Sequence, residues 1–391
     1  MIKLFLFTIA ILSVFASALS ASDVQTLSEA QALSAQSGKP ILLEFVRSDW
    51  EYCQKAAREA EEEEVFANAL KQVVHLPVNV LEGEGPELKE KYDVGSTYPV
   101  FILTNSEGEI ITRWTGYSTA KQFVYKLNAS LKDRRTIKER RAQFEANPTL
   151  QEALALGRFY AELGEHLEAV EMFRRAERLG TDRYLNLSAD IFKNMAEAVW
   201  KEMAPFDSIY PTAEYVLETG QTAGIIKMAT LMSRLSRKFD NVDSLEKYLN
   251  AGIQAATDSQ KPEHTEDRYL LVAEHALQIA HDTAKAIGIK ELSMGNNWER
   301  NPSKFYNYSK WCLERKVNLG AAEMFARRAV QVAASPEMKA RVLNTLAEIF
   351  EERGNYEGAI QSIEMAIENH PENPYYQNRL DELEEAMTEK R

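Results

Sequence analysis

The chain has 391 residues, of which 45% are hydrophobic and 27% are charged, and its formal net charge is −13. This length and composition predict two or three globular domains. The acidic balance argues against a nucleic-acid-binding protein, because binding to phosphates requires a basic surface. It also favours a protein that stays apart from anionic membrane surfaces.

The N-terminus has the features of a secretory signal peptide. Lys3 precedes an almost wholly apolar run at 4–15, and small residues follow, with Ala18 and Ser20 at the −3 and −1 positions of a cleavage site. This order predicts a cleaved signal peptide at residues 1–20. The apolar run is shorter than the roughly 20 residues that span a bilayer. We therefore expect an exported protein, periplasmic or extracellular, with no integral membrane segment in the mature chain; the alternative is an uncleaved anchor.

The chain contains two cysteines, Cys53 and Cys312. Export implies an oxidising compartment, where small domains are often held together by several disulfides. Two cysteines in a chain of this length do not make such a scaffold. Two separate thiols are expected, and the alternative is one bridge between the domains, which the restrictive geometry of a disulfide disfavours.

Strands and helices alternate in the first predicted domain, residues 21–133. A helix is expected around Ser28–Gln36 with a serine N-cap, Ser28. The mostly apolar run Ile41–Val46 is typical of a central strand buried on both faces. The further predicted elements are a helix at 55–72, a strand at 73–80, and a hairpin with strands at 98–103 and 110–114. This order indicates an α/β sandwich.

Motifs in this domain resemble those of the thioredoxin-like domains found in exported bacterial proteins. The first is Gly38–Phe45 followed by Ser48-Asp49-Trp50, and the second is Lys91–Val94 followed by Thr97-Tyr98-Pro99. The resemblance covers about 110 residues and keeps the order of the family's motifs. It implies the thioredoxin fold, with Pro99 at the position of the family's cis-proline.

The resemblance also implies a chemistry that this chain does not fully carry. Such domains normally read Trp-Cys-x-x-Cys, whereas here Trp50 is followed by Glu51, Tyr52 and then Cys53. Cys53 matches the resolving cysteine, and Glu44 resembles the buried acid that exchanges protons with it. A resolving thiol without an attacking thiol cannot run a dithiol cycle. We therefore favour a non-catalytic domain; the alternative is that Cys53 acts alone as a shifted, monothiol nucleophile.

Four residues around the motif are candidates for binding. In the family, the cis-proline lies against the active-site motif, and the neighbouring backbone pairs with an extended substrate peptide. The corresponding residues here are Trp50, Tyr52, Tyr98 and Pro99. They predict retained peptide binding without catalysis, unless Pro99 serves only to maintain the fold.

Helical periodicity replaces the strand signals after a predicted linker helix at 134–147. Two segments of the second domain, residues 148–391, share one set of offsets. The first contains Leu156, Gly157, Tyr160, Gly164, Ala169, Phe173 and Ala176, and the second contains Leu346, Ala347, Phe350, Gly354, Ala359, Ile363 and Ala366. The offsets resemble the tetratricopeptide repeat, a helix-turn-helix of about 34 residues.

The rest of this domain follows the repeat pattern more loosely. Further repeat helices are expected at 229–251 and 320–329, with a capping helix at 375–387 and a loop insertion at 291–304. Five or six repeats would fill the length. The predicted fold class is therefore an α/β thioredoxin-like sandwich followed by an all-α tetratricopeptide-like solenoid.

The sequence contains no cofactor-binding signature. Its six histidines are scattered without metal-ligand spacing, and it has no phosphate-binding loop, dinucleotide fingerprint or serine elbow. No metal or cofactor is predicted, and the oligomeric state is left open. The favoured function is an exported scaffold that binds a protein or an extended peptide and no nucleic acid. The alternatives are an atypical thiol-disulfide oxidoreductase or isomerase that uses Cys53, and a peptide-binding chaperone that uses the Pro99 edge together with the repeat groove.

Overall fold

The computed structural model describes residues 24–47, 50–180, 185–259, 261–295, 298, 301–371 and 373–389. The predicted signal peptide and two residues of the first motif, Ser48 and Asp49, lie outside the described residues. The chain divides into two compact units after Ala142, within the predicted linker segment 134–147.

The first unit is built around one mixed four-stranded sheet. Its elements are, in chain order, α1 (Leu27–Ser37), β1 (Ile41–Val46), α2 (Glu51–Glu62), α3 (Glu64–Leu70), β2 (Val74–Asn79), α4 (Gly85–Lys91), β3 (Val100–Thr104), β4 (Ile110–Thr115) and α5 (Ala120–Leu131), with α6 (Ile137–Ala146) crossing the division. The strand order is β2-β1-β3-β4. β1 pairs in parallel with β2 and antiparallel with β3, which forms the predicted hairpin with β4. The predicted α/β sandwich is confirmed.

Strand β1 lies at the centre of the sheet and is buried on both faces. Its alternate residues Ile41, Leu43 and Phe45 belong to a core shared with α1 and α4. Leu42 points to the opposite face, where it joins a core shared with α2, α3 and α5. Because side chains alternate between the faces of a strand, a strand covered on both sides must be apolar almost throughout. The apolar run in the sequence is explained by this position.

Two local expectations in this unit were wrong. The N-cap of α1 is Thr26, not Ser28, and it forms a capping box with Glu29. The helix expected at 55–72 is two helices, α2 and α3, separated by Glu63 with extended backbone angles (φ −99°, ψ 105°). Beyond this break Phe66 is buried, and its ring centroid lies 4.2 Å from that of Phe123. Core packing therefore decides the path of the chain here over local helix propensity.

The second unit is a series of antiparallel helices. Its elements are α7 (Leu150–Leu163), α8 (His166–Leu179), α9 (Ser188–Trp200), a 3₁₀ turn (Phe206–Ile209), α10 (Tyr210–Thr219), α11 (Thr222–Phe239), α12 (Leu245–Asp258), α13 (Pro262–Gln278), α14 (Thr283–Ser293), α15 (Pro302–Glu314), α16 (Leu319–Val332), α17 (Pro336–Glu352), α18 (Tyr356–Asn369) and α19 (Pro374–Glu389). The described residues of 143–391 include no strand. Consecutive helices pack in pairs, and α19 packs against α18 as the expected cap.

Close contact between paired helices explains the repeated small residues. A Cβ atom at Gly157 would lie 2.9 Å from the Phe173 ring, so only glycine allows α7 and α8 to approach this closely. Gly164 ends α7 with φ +92°, a left-handed conformation that favours glycine. In the second matching segment Ala347, on α17, and Ala359, on α18, are likewise buried. The predicted packing of both segments is confirmed.

The segment expected to be a loop insertion at 291–304 contributes to the core instead. Its first residues complete α14 and its last ones begin α15. Between them Trp298 is 6% exposed, and its ring centroid lies 4.6 Å from that of Tyr308 and 4.8 Å from that of Phe325. A tryptophan placed between two aromatic rings buries a large apolar area, so this segment fastens α15 and α16 together.

Among the described residues, no helix has the length and the hydrophobicity required to cross a bilayer.

Candidate functional site

The candidate site lies where β1 ends and α2 begins. Trp50 precedes α2 with extended backbone angles, and its carbonyl oxygen accepts hydrogen bonds from the N–H groups of Cys53, at 2.9 Å, and Gln54, at 3.0 Å. Cys53 therefore lies in the first turn of the helix. The resemblance to thioredoxin-like domains implied this position for the motif.

The sulfur at this site is enclosed by the protein. Cys53 is 4% exposed and belongs to the same apolar core as Phe45 and Tyr98. Cys312 is fully buried in the second unit, where desolvation raises the pKa of its thiol to about 12. Neither cysteine forms a disulfide in the structure.

Aromatic side chains surround the entrance to the motif. The rings of Trp50 and Tyr98 meet edge to face, with centroids 6.3 Å apart. Tyr98 is buried and precedes a cis peptide bond to Pro99, which is also buried. Tyr52, on the first turn of α2, is 53% exposed. The structure thus brings Trp50, Tyr98 and Pro99 together beside Cys53 and leaves the Tyr52 ring on the surface.

Cationic side chains lie near these rings. The Arg47 guanidinium carbon is 5.7 Å from the centroid of the Trp50 ring, and Lys89 Nζ is 6.0 Å from that of Tyr98. Cations at such distances are attracted by the negative faces of aromatic rings. The site is therefore a partly exposed aromatic surface with positive charge beside it.

The backbone of Pro99 is part of the sheet. Its carbonyl oxygen accepts a hydrogen bond of 2.8 Å from the N–H of Gly116, at the end of β4, where Gly116 has φ +82°. This bond joins the chain before β3 to the chain after β4. The position of the cis-proline is therefore held from the hairpin side.

Glu44 has a partner that the sequence interpretation did not include. Its Oε2 atom lies 2.6 Å from Nε2 of His75, on β2. The signal was present in β2, where His75, Pro77 and Asn79 alternate with buried apolar residues. In parallel neighbouring strands, this alternation places His75 on the same face as Glu44. The carboxylate proposed as a proton partner for Cys53 is thus engaged in an interaction that also links two strands.

A second polar interaction holds the motif helix in place. Glu59, on α2, accepts hydrogen bonds from the Tyr117 hydroxyl at 2.7 Å and from the N–H of Ala120 at 3.0 Å. The bond from Tyr117 lowers the pKa of Glu59, whereas burial and this carboxylate raise the pKa of Tyr117. These contacts tie α2 to the start of α5.

Among the residues that the structure describes, no group of three or more His, Cys, Asp or Glu side chains could hold a metal ion.

Comparisons with known proteins agree with the two parts of this architecture. A family model described as a thioredoxin-like domain matches residues 27–130, and one described as a tetratricopeptide repeat matches residues 153–179. A search of curated proteins finds no match. A solved structure titled "Crystal structure of APC/C hetero-tetramer Cut9-Hcn1" is 14% identical, with a TM-score of 0.36. The match covers 66% of this chain and 48% of that one, so this chain spans about half its length, and the similarity is too low to support an argument.

Residues 27–130 thus form a thioredoxin-like domain, and the helices that follow form a repeat array containing a tetratricopeptide repeat.

Proposed function

We propose that this protein is exported and acts as a protein-binding or scaffold module. Its thioredoxin-like domain does not catalyse thiol–disulfide exchange, and its helical array binds a partner protein or peptide. The observation that carries the proposal is that Cys53, the single cysteine of the motif, is 4% exposed. The combination of a thioredoxin-like domain with tetratricopeptide-type helices supports a scaffold or binding role.

Dithiol exchange requires a pair of sulfur atoms that this motif does not provide. An accessible thiolate attacks the substrate disulfide, and a second thiol then resolves the mixed disulfide. Glu51 and Tyr52 stand between Trp50 and Cys53, so the motif has one sulfur. Burial of Cys53 also limits the access of a substrate disulfide to that sulfur.

Export is supported by the N-terminal sequence. Residues 1–20 combine a basic start, a short apolar run and small residues at the expected cleavage site. Expression of the full chain with a C-terminal tag, followed by cell fractionation and N-terminal sequencing, tests this part. We expect the exported protein to begin at Ala21, and a product that keeps Met1 would contradict cleavage.

Reductase activity is the direct test of the non-catalytic assignment. The wild type and Cys53→Ser are compared in insulin reduction and in glutathione exchange. We expect both proteins to remain at the background rate. An appreciable rate in the wild type that is lost in Cys53→Ser would contradict the proposal.

The same assays test how the motif lost its chemistry. Insertion of one cysteine between Trp50 and Glu51 restores the family's pattern if a single deletion silenced the site. We expect this insertion variant to reduce insulin above background. An equivalent insertion of alanine is the control, and an inactive cysteine variant that is still folded would refute the proposed alignment.

One structural feature favours the monothiol alternative. Cys53 lies in the first turn of α2, where the helix dipole stabilises a thiolate. A thiol acting alone would form mixed disulfides with client proteins. Trapping such species on the wild type in extracts, and their loss in Cys53→Ser, would replace the non-catalytic proposal with this one.

Binding by the helical array is tested by mapping contacts on the full chain. Partners are captured from extracts and crosslinked, and the crosslinked residues are identified by mass spectrometry. We expect the crosslinks to concentrate in residues 143–391. Crosslinks confined to the thioredoxin-like domain would contradict a binding role for the array.

A further inference from the structure

A large polar cavity lies in the second unit where α11, α13, α14 and α15 meet. Its volume is about 770 Å³, which falls in the range of small-molecule sites. Six basic and four acidic side chains line it, a surplus of two positive charges in a chain whose net charge is −13. The basic side chains are those of Arg234, Arg237, Lys290, Lys304, Lys310 and Arg315. The local excess of positive charge therefore runs against the overall charge of the protein.

Two of the arginines share one buried carboxylate. Glu274 is 3% exposed, and one of its carboxylate oxygens accepts a hydrogen bond of 2.7 Å from Arg315 Nε. The other oxygen accepts hydrogen bonds from Arg237 and from Gln278 Nε2, the latter at 2.8 Å. One negative charge thus serves two guanidinium groups. This cluster leaves one positive charge uncompensated on the wall of the cavity.

Lys290 adds a second uncompensated positive charge. It is 6% exposed and lines the cavity, and it has no hydrogen-bond or ion-pair partner among the residues that the structure describes. Desolvation lowers the pKa of its ammonium group, and the charge of Glu266, the largest opposing influence, offsets this only in part. A buried ammonium group without an acceptor is costly. The chain itself therefore leaves this donor without the anionic partner it requires.

Apolar surface continues from these charges. Trp311, 5% exposed, and Met294, 4% exposed, also line the cavity, together with Leu271. Binding sites for small molecules combine apolar walls with a few polar groups that orient the ligand. The lining here has that composition, with its polar groups mainly cationic.

We propose that this cavity binds a small organic anion whose carboxylate or phosphate oxygen accepts a hydrogen bond from Lys290, with its apolar part against Trp311. Arg237 and Arg315 supply the positive field that attracts the anion. This site lies within the helical array and goes beyond the proposed protein-binding function. Its occupation does not depend on whether the array also binds a protein.

Calorimetric titration of the full chain tests the proposal. The probes are inorganic phosphate, succinate and benzoate, each added at constant ionic strength so that general screening does not change. We expect saturable binding of at least one probe to the wild type. Saturation by phosphate alone would identify a phosphate site, and saturation by succinate or benzoate would identify a carboxylate site. Absence of saturable binding by all three would overturn the proposal.

Lys290→Met is the decisive variant, and Lys285→Met is its matched control. Lys285 lies on the same helix but is exposed and does not line the cavity, so the two variants change the net charge equally. We expect Lys290→Met to raise the dissociation constant of the bound probe about tenfold or more. Lys285→Met should bind as the wild type does. Equal binding by Lys290→Met and the wild type would overturn the proposal.

Thermal unfolding separates a binding role from a structural role for Lys290. Without a probe, Lys290→Met should unfold at the same temperature as the wild type or higher, because it removes a lone buried charge. The probe should raise the unfolding temperature of the wild type but not that of the variant. If Lys290→Met does not fold, Lys310→Gln decides, because Lys310 is an exposed member of the lining. A severalfold loss of affinity in Lys310→Gln supports the site, and unchanged affinity refutes it.

Discussion

The two units differ in how they accommodate a buried acid. In the thioredoxin-like domain, Glu44 faces one histidine, His75, across neighbouring strands. In the helical array, Glu274 binds two arginines, and the nearby Lys290 is left without an anionic partner. The domain that resembles enzymes thus pairs the group implied as its proton carrier. The array, which carries no catalytic resemblance, retains unmatched charge in a cavity, so a family's known chemistry does not indicate where a chain keeps its available polar groups.

The largest expected effect comes from removing the two acids in turn. Glu274→Gln leaves two arginines without their shared negative charge and should lower the free energy of unfolding by about 3–5 kcal/mol. Glu44→Gln should cost only about 1 kcal/mol, because an amide still hydrogen-bonds His75 and that ring is partly exposed. Chemical denaturation of both variants measures the difference. Equal losses would erase the contrast between the two units.

Two glycines of the array sharpen the comparison through packing. A Cβ atom at Gly252 would clash with Ala229 and lie 3.0 Å from Leu271, whereas one at Gly320 meets nothing within 4 Å. Gly252→Ala should therefore lower the free energy of unfolding by about 1–3 kcal/mol. Gly320→Ala should raise it by up to about 1 kcal/mol, because alanine favours the helix. Denaturant unfolding tests both signs, and a neutral Gly252→Ala would contradict close contact between α11 and α12.

Alkaline pH distinguishes Cys312 from a typical thiol. Burial raises its pKa to about 12 in the folded protein, against about 8.5 in the unfolded chain. The stability that this neutral thiol contributes is complete below about pH 8.5 and is lost as the pH rises toward 12. Cys312→Ser should therefore reduce the fall of the unfolding free energy with pH by up to about 1.4 kcal/mol per pH unit. Measurements between pH 8 and 11 test this, and identical slopes would contradict it.

The smallest expected effect on stability is at the surface of the motif. Tyr52 is 53% exposed, so Tyr52→Ala should change the free energy of unfolding by no more than about 0.5 kcal/mol. If the aromatic surface contributes to recognition, this variant should still lose affinity for a partner that contacts the thioredoxin-like domain. Tyr125→Ala is the control, since Tyr125 is 77% exposed and lies on α5. Equal affinities of both variants and the wild type would remove Tyr52 from the binding surface.

Most of the architecture could be predicted from local patterns. Ile41–Val46 was expected as a strand and forms β1 with those bounds, because burial on both faces demands a continuous apolar run. The shared offsets at 156–176 and 346–366 predicted paired helices, because close contact demands small residues at fixed spacing. Such patterns are visible in the sequence because each records one local packing requirement.

Other features depended on residues that are distant in the chain. The break at Glu63 follows from the position of Phe66 against Phe123, and local propensity favoured an unbroken helix. Trp298 lies in a segment that reads as a loop, yet it packs between rings from α15 and α16. Propensity is a weak guide wherever a long-range contact stabilises a different conformation.

The sequence by itself determined the thioredoxin-like fold, the helical repeats and the missing sulfur between Trp50 and Cys53, because periodicity and motif spacing are properties of neighbouring residues. Only the tertiary structure decided that Glu44 meets His75 and that Lys290 is buried beside two arginines sharing one carboxylate. Charged residues carry no label for their partners along the chain. Their partners and solvent exposure arise only when distant helices and strands come together, and these set the electrostatics of each site.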